Sequence, residues 1–213
     1  MRPFYFFLIP SMTLGALAFG YVFATTGFSI VSYSIPAASM VPAVAPGEMI
    51  FASQHYYRCH TPVPGDVVLF HRSWHGALTT FIKRVIAGPG DRVQMKDGRL
   101  FVNGVMVERA PLPPLQRVPG FGADLQRYRE TLSNGRSYEI LEKSDREVLD
   151  EIPEIVVAPG QYFVVGDNRD ASNDSRNPEF GTIASDFIDD KASIVWLSRD
   201  WHRIGMRLQP AAP

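Results

Sequence analysis

Residues 81–91 read Phe-Ile-Lys-Arg-Val-Ile-Ala-Gly-Pro-Gly-Asp. The run from Phe81 to Ile86 is short, rich in apolar and β-branched side chains, and closed by glycine and proline, as a buried strand is. Side chains alternate faces along a strand, so Lys83 falls on the same face as Phe81 and Val85. A lysine held among apolar groups loses hydration of its charged form, and its pKa falls. To serve as a general base near neutral pH it must drop from about 10.4 to roughly 7–8, a cost to the fold on the order of 3–4 kcal/mol. The same pattern also fits a lysine whose stem lies along an edge strand while its ammonium reaches water.

The neighbouring segments repeat the strand signature. Met49-Ile-Phe-Ala52 and Asp66-Val-Val-Leu-Phe70 are short apolar runs beside glycine, and Gln161-Tyr-Phe-Val-Val165 and Ala192-Ser-Ile-Val-Trp-Leu197 return to it later. Val93 to Val102 predicts a hairpin turning at Asp97-Gly98, a dipeptide suited to the positive φ angles of a tight turn. A second hairpin is expected around Asn134-Gly135, between 128–132 and 137–141. Seventeen prolines and seventeen glycines favour strands and turns over a helical bundle. The stretch 110–122 holds Pro111, Pro113, Pro114 and Pro119 and is expected to be extended or irregular. The fold class is therefore mainly β. Residues 31–104 and 155–213 are expected to form the principal domain, and the more highly charged 105–154 an inserted β lobe.

Residues 3–24 carry no charge, and about 20 such residues span a bilayer's hydrocarbon layer. Pro10 and Gly15 suit a membrane helix better than a soluble one. Arg2 and the terminal amine precede the segment, whereas the next basic residue is Arg58. That asymmetry predicts a cytoplasmic N-terminus, with residues 1–30 forming tip, anchor and linker and the rest of the chain outside. Val22-Phe23-Ala24 also resembles a cleavage site, so a removable signal peptide is the competing reading.

The chain has 21 basic and 22 acidic residues and a formal net charge of -1. No global field or basic cluster points to nucleic acid. Cys59 is the only cysteine, so no internal disulfide forms, and a minor, partly buried thiol is expected.

Candidate chemistry is sparse. Of the four lysines, Lys96 abuts a turn, Lys143 lies among charges and Lys191 follows Asp189-Asp190; these three are expected to be solvated and protonated. Ser39 lies in Ser32-Tyr-Ser-Ile-Pro-Ala-Ala-Ser-Met-Val-Pro42, a short step beyond the apolar segment. No G-x-S-x-G elbow is present, and Ser39-Met-Val-Pro42 lacks the lysine of S-x-x-K. Five histidines leave a Ser-His pair open. Cys59-His60 lacks the further spaced ligands of a zinc site. The oxygen-rich string Gly166-Asp-Asn-Arg-Asp-Ala-Ser-Asn-Asp-Ser-Arg176 fails as a calcium loop: its third, sixth and twelfth positions from Asp167 are Arg169, Ser172 and Pro178. Neither metal nor cofactor is expected. The string's opposite charges instead suit a loop whose Asp and Arg side chains fix the backbone.

Taken together, these segments resemble bacterial type I signal peptidases. Ser39-Met-Val-Pro42 looks like the family's nucleophile motif, Gly65 to Phe70 its next strand motif, Lys83 to Asp91 its lysine motif, and Gly166 to Arg176 its acidic-basic loop, all in the family's order. The resemblance implies a signal-peptidase-like β fold, with Ser39 as nucleophile and Lys83 as the base for acylation and deacylation. It implies that Ser172 hydrogen-bonds and orients the lysine, that Asp167, Arg169, Asp174 and Arg176 brace the site, and that Ile35, Met40, Phe81 and Ile82 line substrate pockets. The implied partners are signal peptides of exported preproteins, cleaved after small residues at positions -1 and -3, together with membrane lipid. The family's oxyanion hole uses the nucleophile's own N–H; some members add a serine hydroxyl two residues earlier, where this chain has Ala37. Ala87-Gly88 departs from the usual lysine motif and leaves Lys83 in register. Three alternatives remain: a specialised maturation peptidase for a conjugation or pilus precursor, a self-cleaving Ser-Lys repressor relative, and an inactive membrane-tethered peptide-binding module. The repressor relative is disfavoured by the anchor and the lack of a DNA-binding helical domain.

Overall fold

A computed structural model describes residues 29–115 and 125–210. The expected anchor over 3–24 lies outside these residues; among the described residues no helix is long and apolar enough to cross a membrane. The described chain is mainly β, with helical structure limited to 3₁₀ turns at Tyr56–Arg58, Arg169–Ala171, Ser185–Phe187 and Trp201–Arg203.

The strands in chain order are β1 (Ser29–Ile35), β2 (Glu48–Gln54), β3 (Val67–Trp74), β4 (Ala77–Ala87), β5 (Arg92–Lys96), β6 (Arg99–Val102) and β7 (Val105–Met106). There follow β8 (Glu108–Leu112), β9 (Gln126–Thr131), β10 (Ser137–Glu142), β11 (Ile152–Val156), β12 (Gln161–Val165), β13 (Ile183–Ala184) and β14 (Ile188–Leu197). A seven-stranded antiparallel sheet runs β1-β2-β14-β3-β4-β12-β13, beside a three-stranded sheet β10-β9-β8 and a four-stranded sheet β11-β5-β6-β7.

The large sheet is covered on both faces around β3. Val67 and Leu69 pack with Ile35, Met40 and Ile82 on one side, while Val68 and Phe70 pack with Val85, Val164 and Phe180 on the other. That two-sided burial is why this strand reads as a continuous apolar run rather than an alternating one. A third core joins Ile86, Phe163 and Val165 of the large sheet to Val93, Met95, Ile140 and Ile152 of the smaller ones. The three-stranded sheet lies wholly within 105–154, whereas the four-stranded sheet takes β5 and β6 from before that stretch.

Both hairpins form where expected. Asp97 and Gly98 take φ of 50° and 69° between β5 and β6, and Gly135 takes 80° between β9 and β10. β8 places Pro111 in a strand, which is tolerated because β8 is an edge of its sheet. Cys59 is exposed, not partly buried, because the turn that carries it buries none of its own residues.

The register of β4 positions the site. β4 pairs along its whole length with β3, setting Lys83 opposite Val68 and Arg84 opposite Val67. On its other edge β12 pairs only from Arg84 onward, with a register shift between Phe163 and Val164. Among the described residues, no strand covers that edge from Ala77 to Lys83.

Candidate active site

The chain leaves β1 at Ile35 and makes a tight turn, with Val41 N–H donating to the Ala38 carbonyl at 3.2 Å and Val44 N–H to Met40 at 2.9 Å. This turn brings Ser39 to the uncovered part of β4. Lys83 Nζ donates a hydrogen bond to Ser39 Oγ at 2.8 Å. Both side chains are nearly sequestered, Ser39 at 7% and Lys83 at 4% exposure. Burial pushes the Lys83 ammonium down to about 8 from an ordinary 10.5; the Asp174 and Asp167 carboxylates oppose that shift and Arg176 adds to it.

Those carboxylates do not discharge on Lys83 because each is already committed. Arg84 grips Asp167 through two bonds of 2.7 Å and gives its Nη1 to the Gly65 carbonyl at 2.7 Å. Its guanidinium also lies 4.5 Å from the Tyr138 ring centroid. Arg176 grips Asp174 at 2.9 and 3.0 Å, and Asp174 also accepts the Gly166 N–H at 2.9 Å. Burial alone would raise the Asp174 pKa, but the Arg176 charge and these hydrogen bonds hold it below the usual carboxylate range. Removing one partner of a buried pair of this kind costs about 3–5 kcal/mol.

The ion pairs of the acidic-basic loop lie only partly within it. Asp174 and Arg176 pair within it, whereas Asp167 reaches Arg84 on β4 and Arg169 reaches Glu130 on β9. Arg176 additionally donates to the Arg169 carbonyl at 2.5 Å. The loop in turn holds the serine turn: Asn168 N–H donates to the Ser39 carbonyl at 3.0 Å, and Asn168 Nδ2 to the Ala38 carbonyl at 3.3 Å.

Ser172 lies in this crowded corner, but its hydroxyl is buried without a hydrogen-bond partner. Among the described residues it makes no bond to Lys83; it lies near enough to Asp174 to help hold that carboxyl low, though outside hydrogen-bond geometry. The tight spot is Gly166, where a Cβ would stand 2.3 Å from Ser172 Oγ and 2.5 Å from the Ser39 carbonyl oxygen. Only glycine lets the loop approach the serine turn so closely.

Ser39 and Lys83 open into a cleft of about 310 Å³, lined also by Tyr33, Ser34, Ile35, Ala37, Leu69, Thr80, Phe81 and Ile82. Met40 is a correction: it is fully buried in the core with Val44 and Ile50 and does not line the cleft. The turn that exposes Ser39 rotates the next side chain inward. Lys96 and Lys143 are exposed, whereas Lys191 is half-buried. It pairs with the buried Asp66 at 3.1 Å.

Sequence reasoning missed Arg84, Glu130, Asn168 and the steric role of Gly166. Arg84 was open to inference, since alternation puts it on the face opposite Lys83. Glu130 gave no local signal, because its partner is 39 residues away.

Chemically, a buried serine hydroxyl bonded to an amine of lowered pKa, beside an open strand edge, has what acyl transfer to a serine oxygen requires. The family model described as "Signal peptidase, peptidase S26" matches residues 8–197, and the chain belongs to that family. A Signal peptidase I of Rickettsia bellii (strain OSU 85-389) is 29% identical over 195 residues, covering 79% of this chain and 66% of that protein. A Signal peptidase I of Rickettsia massiliae (strain Mtu5) is 30% identical over 209 residues, covering 93% of this chain and 72% of that protein. A crystal structure of a signal peptidase I from Enterococcus faecalis V583 matches 61% of this chain and 94% of its own at 23% identity and a TM-score of 0.34.

Proposed function

We propose that this protein is a membrane-bound serine endopeptidase that removes signal peptides from exported preproteins, with Ser39 as nucleophile and Lys83 as general base. The observation that carries the reading is the 2.8 Å contact between Lys83 Nζ and Ser39 Oγ, made where burial brings the lysine down to about 8. When Lys83 is neutral, its lone pair accepts the Ser39 proton as Oγ attacks the scissile carbonyl, and the ammonium then protonates the leaving amine. The acyl-enzyme is released when the same amine takes a proton from water.

The uncovered edge of β4 supports peptide binding in extended form, by main-chain hydrogen bonds of the kind a sheet edge offers. Ile35, Phe81 and Ile82 then supply shallow apolar contacts that favour small residues at -1 and -3. The oxyanion is held by the Ser39 N–H, and Ala37 contributes no side-chain donor. Asp167, Arg169, Asp174 and Arg176 act as braces, and Ser172 is the residue assigned to orient the lysine amine. Residues 31–104 and 155–213 carry the catalytic groups, while the 105–154 lobe steadies the loop through Glu130. The anchor over 3–24 places the N-terminus in the cytoplasm and the catalytic part on the outer side of the bacterial cytoplasmic membrane, where cleavage sites emerge.

The test is incubation of the detergent-solubilised full chain with a preprotein carrying an Ala-X-Ala site. Cleavage after the final alanine, absent in Ser39→Ala and Lys83→Ala, is the expected result. Undiminished cleavage in either variant would sink the assignment.

A further inference from the structure

Away from the Ser39–Lys83 contact, the fold brings together three carboxylates that the chemistry above does not use. Glu142 ends β10, Asp150 closes the loop 143–151, and Asp170 sits in the 3₁₀ turn Arg169–Ala171. One oxygen from each lies within 4.8 Å of the others. Glu142 and Asp150 are only 1% and 2% exposed.

One oxygen of each acid is accounted for. Glu142 Oε2 accepts from Arg109 Nη1 at 2.5 Å, Asp150 Oδ2 from the Glu147 N–H at 2.7 Å, and Asp170 Oδ2 from the Lys143 N–H at 2.5 Å. Among the described residues, Glu142 Oε1 and Asp150 Oδ1 are buried with no hydrogen-bond partner. Orphaned buried acceptors cost about 1–3 kcal/mol each, and more when charged. Two of them beside a third acid give a positive species a place between the oxygens, in addition to the buried Arg169 and Arg176, which act on these acids and, among the described residues, also keep unpartnered N–H groups.

We propose that Glu142, Asp150 and Asp170 bind one divalent cation of the calcium type, which fastens the 143–151 loop to the loop carrying Ser172, Asp174 and Arg176. An all-oxygen, carboxylate-rich set selects a hard cation. Calcium–oxygen distances of about 2.3–2.6 Å put opposite ligands roughly 4.6–5.2 Å apart, which accommodates the full spread of these atoms. Magnesium, at about 2.0–2.1 Å, requires opposite ligands near 4.2 Å and a stricter octahedron. The site is discontinuous, so it is compatible with the failure of the 167–178 string as a calcium loop; only Asp170 comes from that string.

Both acids and cations act on Glu142 and Asp150. Burial raises Glu142 to about 8 against the pull of Arg169 and Arg109, with Asp145 and Asp150 adding to the rise. Asp150 is also raised, chiefly by burial, with Asp170 and Asp145 adding and the Glu147 N–H and Arg176 opposing. Across the loop, Lys143 and Glu147 face each other at 3.9 Å and largely cancel.

The proposal stands on these residues whether or not the peptidase reading holds. Its test uses the full chain in detergent, stripped with a chelator, returned to chelator-free buffer and titrated with calcium chloride by calorimetry and thermal unfolding. One saturable site is expected, with a melting temperature several degrees higher when calcium is about tenfold or more above its Kd. Glu142→Gln and Asp170→Asn should each weaken binding at least tenfold. Asp170 is half-buried, so its variant keeps the test open if Glu142→Gln fails to fold. Silence in both measurements up to about 10 mM calcium, beyond the weakest extracellular sites, overturns the proposal, as does binding unchanged in Asp170→Asn. Magnesium binding as tight as calcium would overturn the calcium assignment.

Discussion

Lys83 and Arg84 are consecutive on β4, both are buried, and the fold handles their charges in opposite ways. Arg84 meets the Asp167 carboxylate through two bonds of 2.7 Å. Among the described residues Lys83 meets only a serine hydroxyl, at 2.8 Å. Burial works against both cations, but Arg84 is held charged by its carboxylate, whereas Lys83 falls to about 8. One residue of alternation therefore separates a structural cation from a poised base. The difference lies in whether a carboxylate is left free to answer the charge, because Asp167 and Asp174 are already bound to arginines.

The largest effect that could break this comparison is on catalysis. Lys83→Ala and Ser39→Ala should each lower kcat on a preprotein by at least about 10³-fold, since members of a nucleophile–base unit fail together. A double variant no worse than either single one would sharpen the claim that they act as a unit.

Next comes the cost of disturbing the paired side. Asp167→Asn leaves Arg84 buried with a weaker partner and should destabilise the protein by about 3 kcal/mol or more in denaturant unfolding. It should also change the pH dependence of cleavage, because a carboxylate that raises the Lys83 pKa is lost.

A smaller effect of opposite sign is expected at Lys83 itself. Between about pH 8 and 10.5 the unfolded chain holds a proton that the folded chain has released, so stability rises with pH through that window. Below it, the folded protein carries a strained charge whose cost is about 3 kcal/mol. Lys83→Met should therefore stabilise the protein near pH 7 by about 2–3 kcal/mol, with the gain fading above pH 10.5. A destabilised Lys83→Met would contradict the desolvated lysine. The smallest change expected is in Ala37→Ser, which offers a second oxyanion donor and should raise kcat by up to about tenfold with little change in KM.

Much of the large sheet was legible because its strands announce themselves by two-sided apolar runs. Ser29–Ile35 was read only as the approach to Ser39, although Val31, Tyr33 and Ile35 alternate with serines as a half-buried strand does. β8 was hidden by its proline, which an edge position permits. The Lys83–Ser39 pairing could be suspected from alternation and motif order, but its closeness depends on Asn168 and Gly166, which fix the serine turn from about 130 residues away. Charge was the least legible feature. The 105–154 stretch is the more highly charged part of the sequence, yet Glu130, Glu142 and Asp150 are buried, two of them answered by arginines far along the chain. Met40 was misplaced because a turn, unlike a strand, gives no period from which to tell which way a side chain points.

The most direct test of the unpaired lysine is a titration of its amine in the folded protein, by NMR of labelled lysine with Lys83→Met used to assign the signal. A midpoint near 8 is expected, together with an ascending limb of cleavage rate at the same pH. A midpoint near 10.5, with Lys83 protonated throughout the range in which the protein cleaves, would contradict the account.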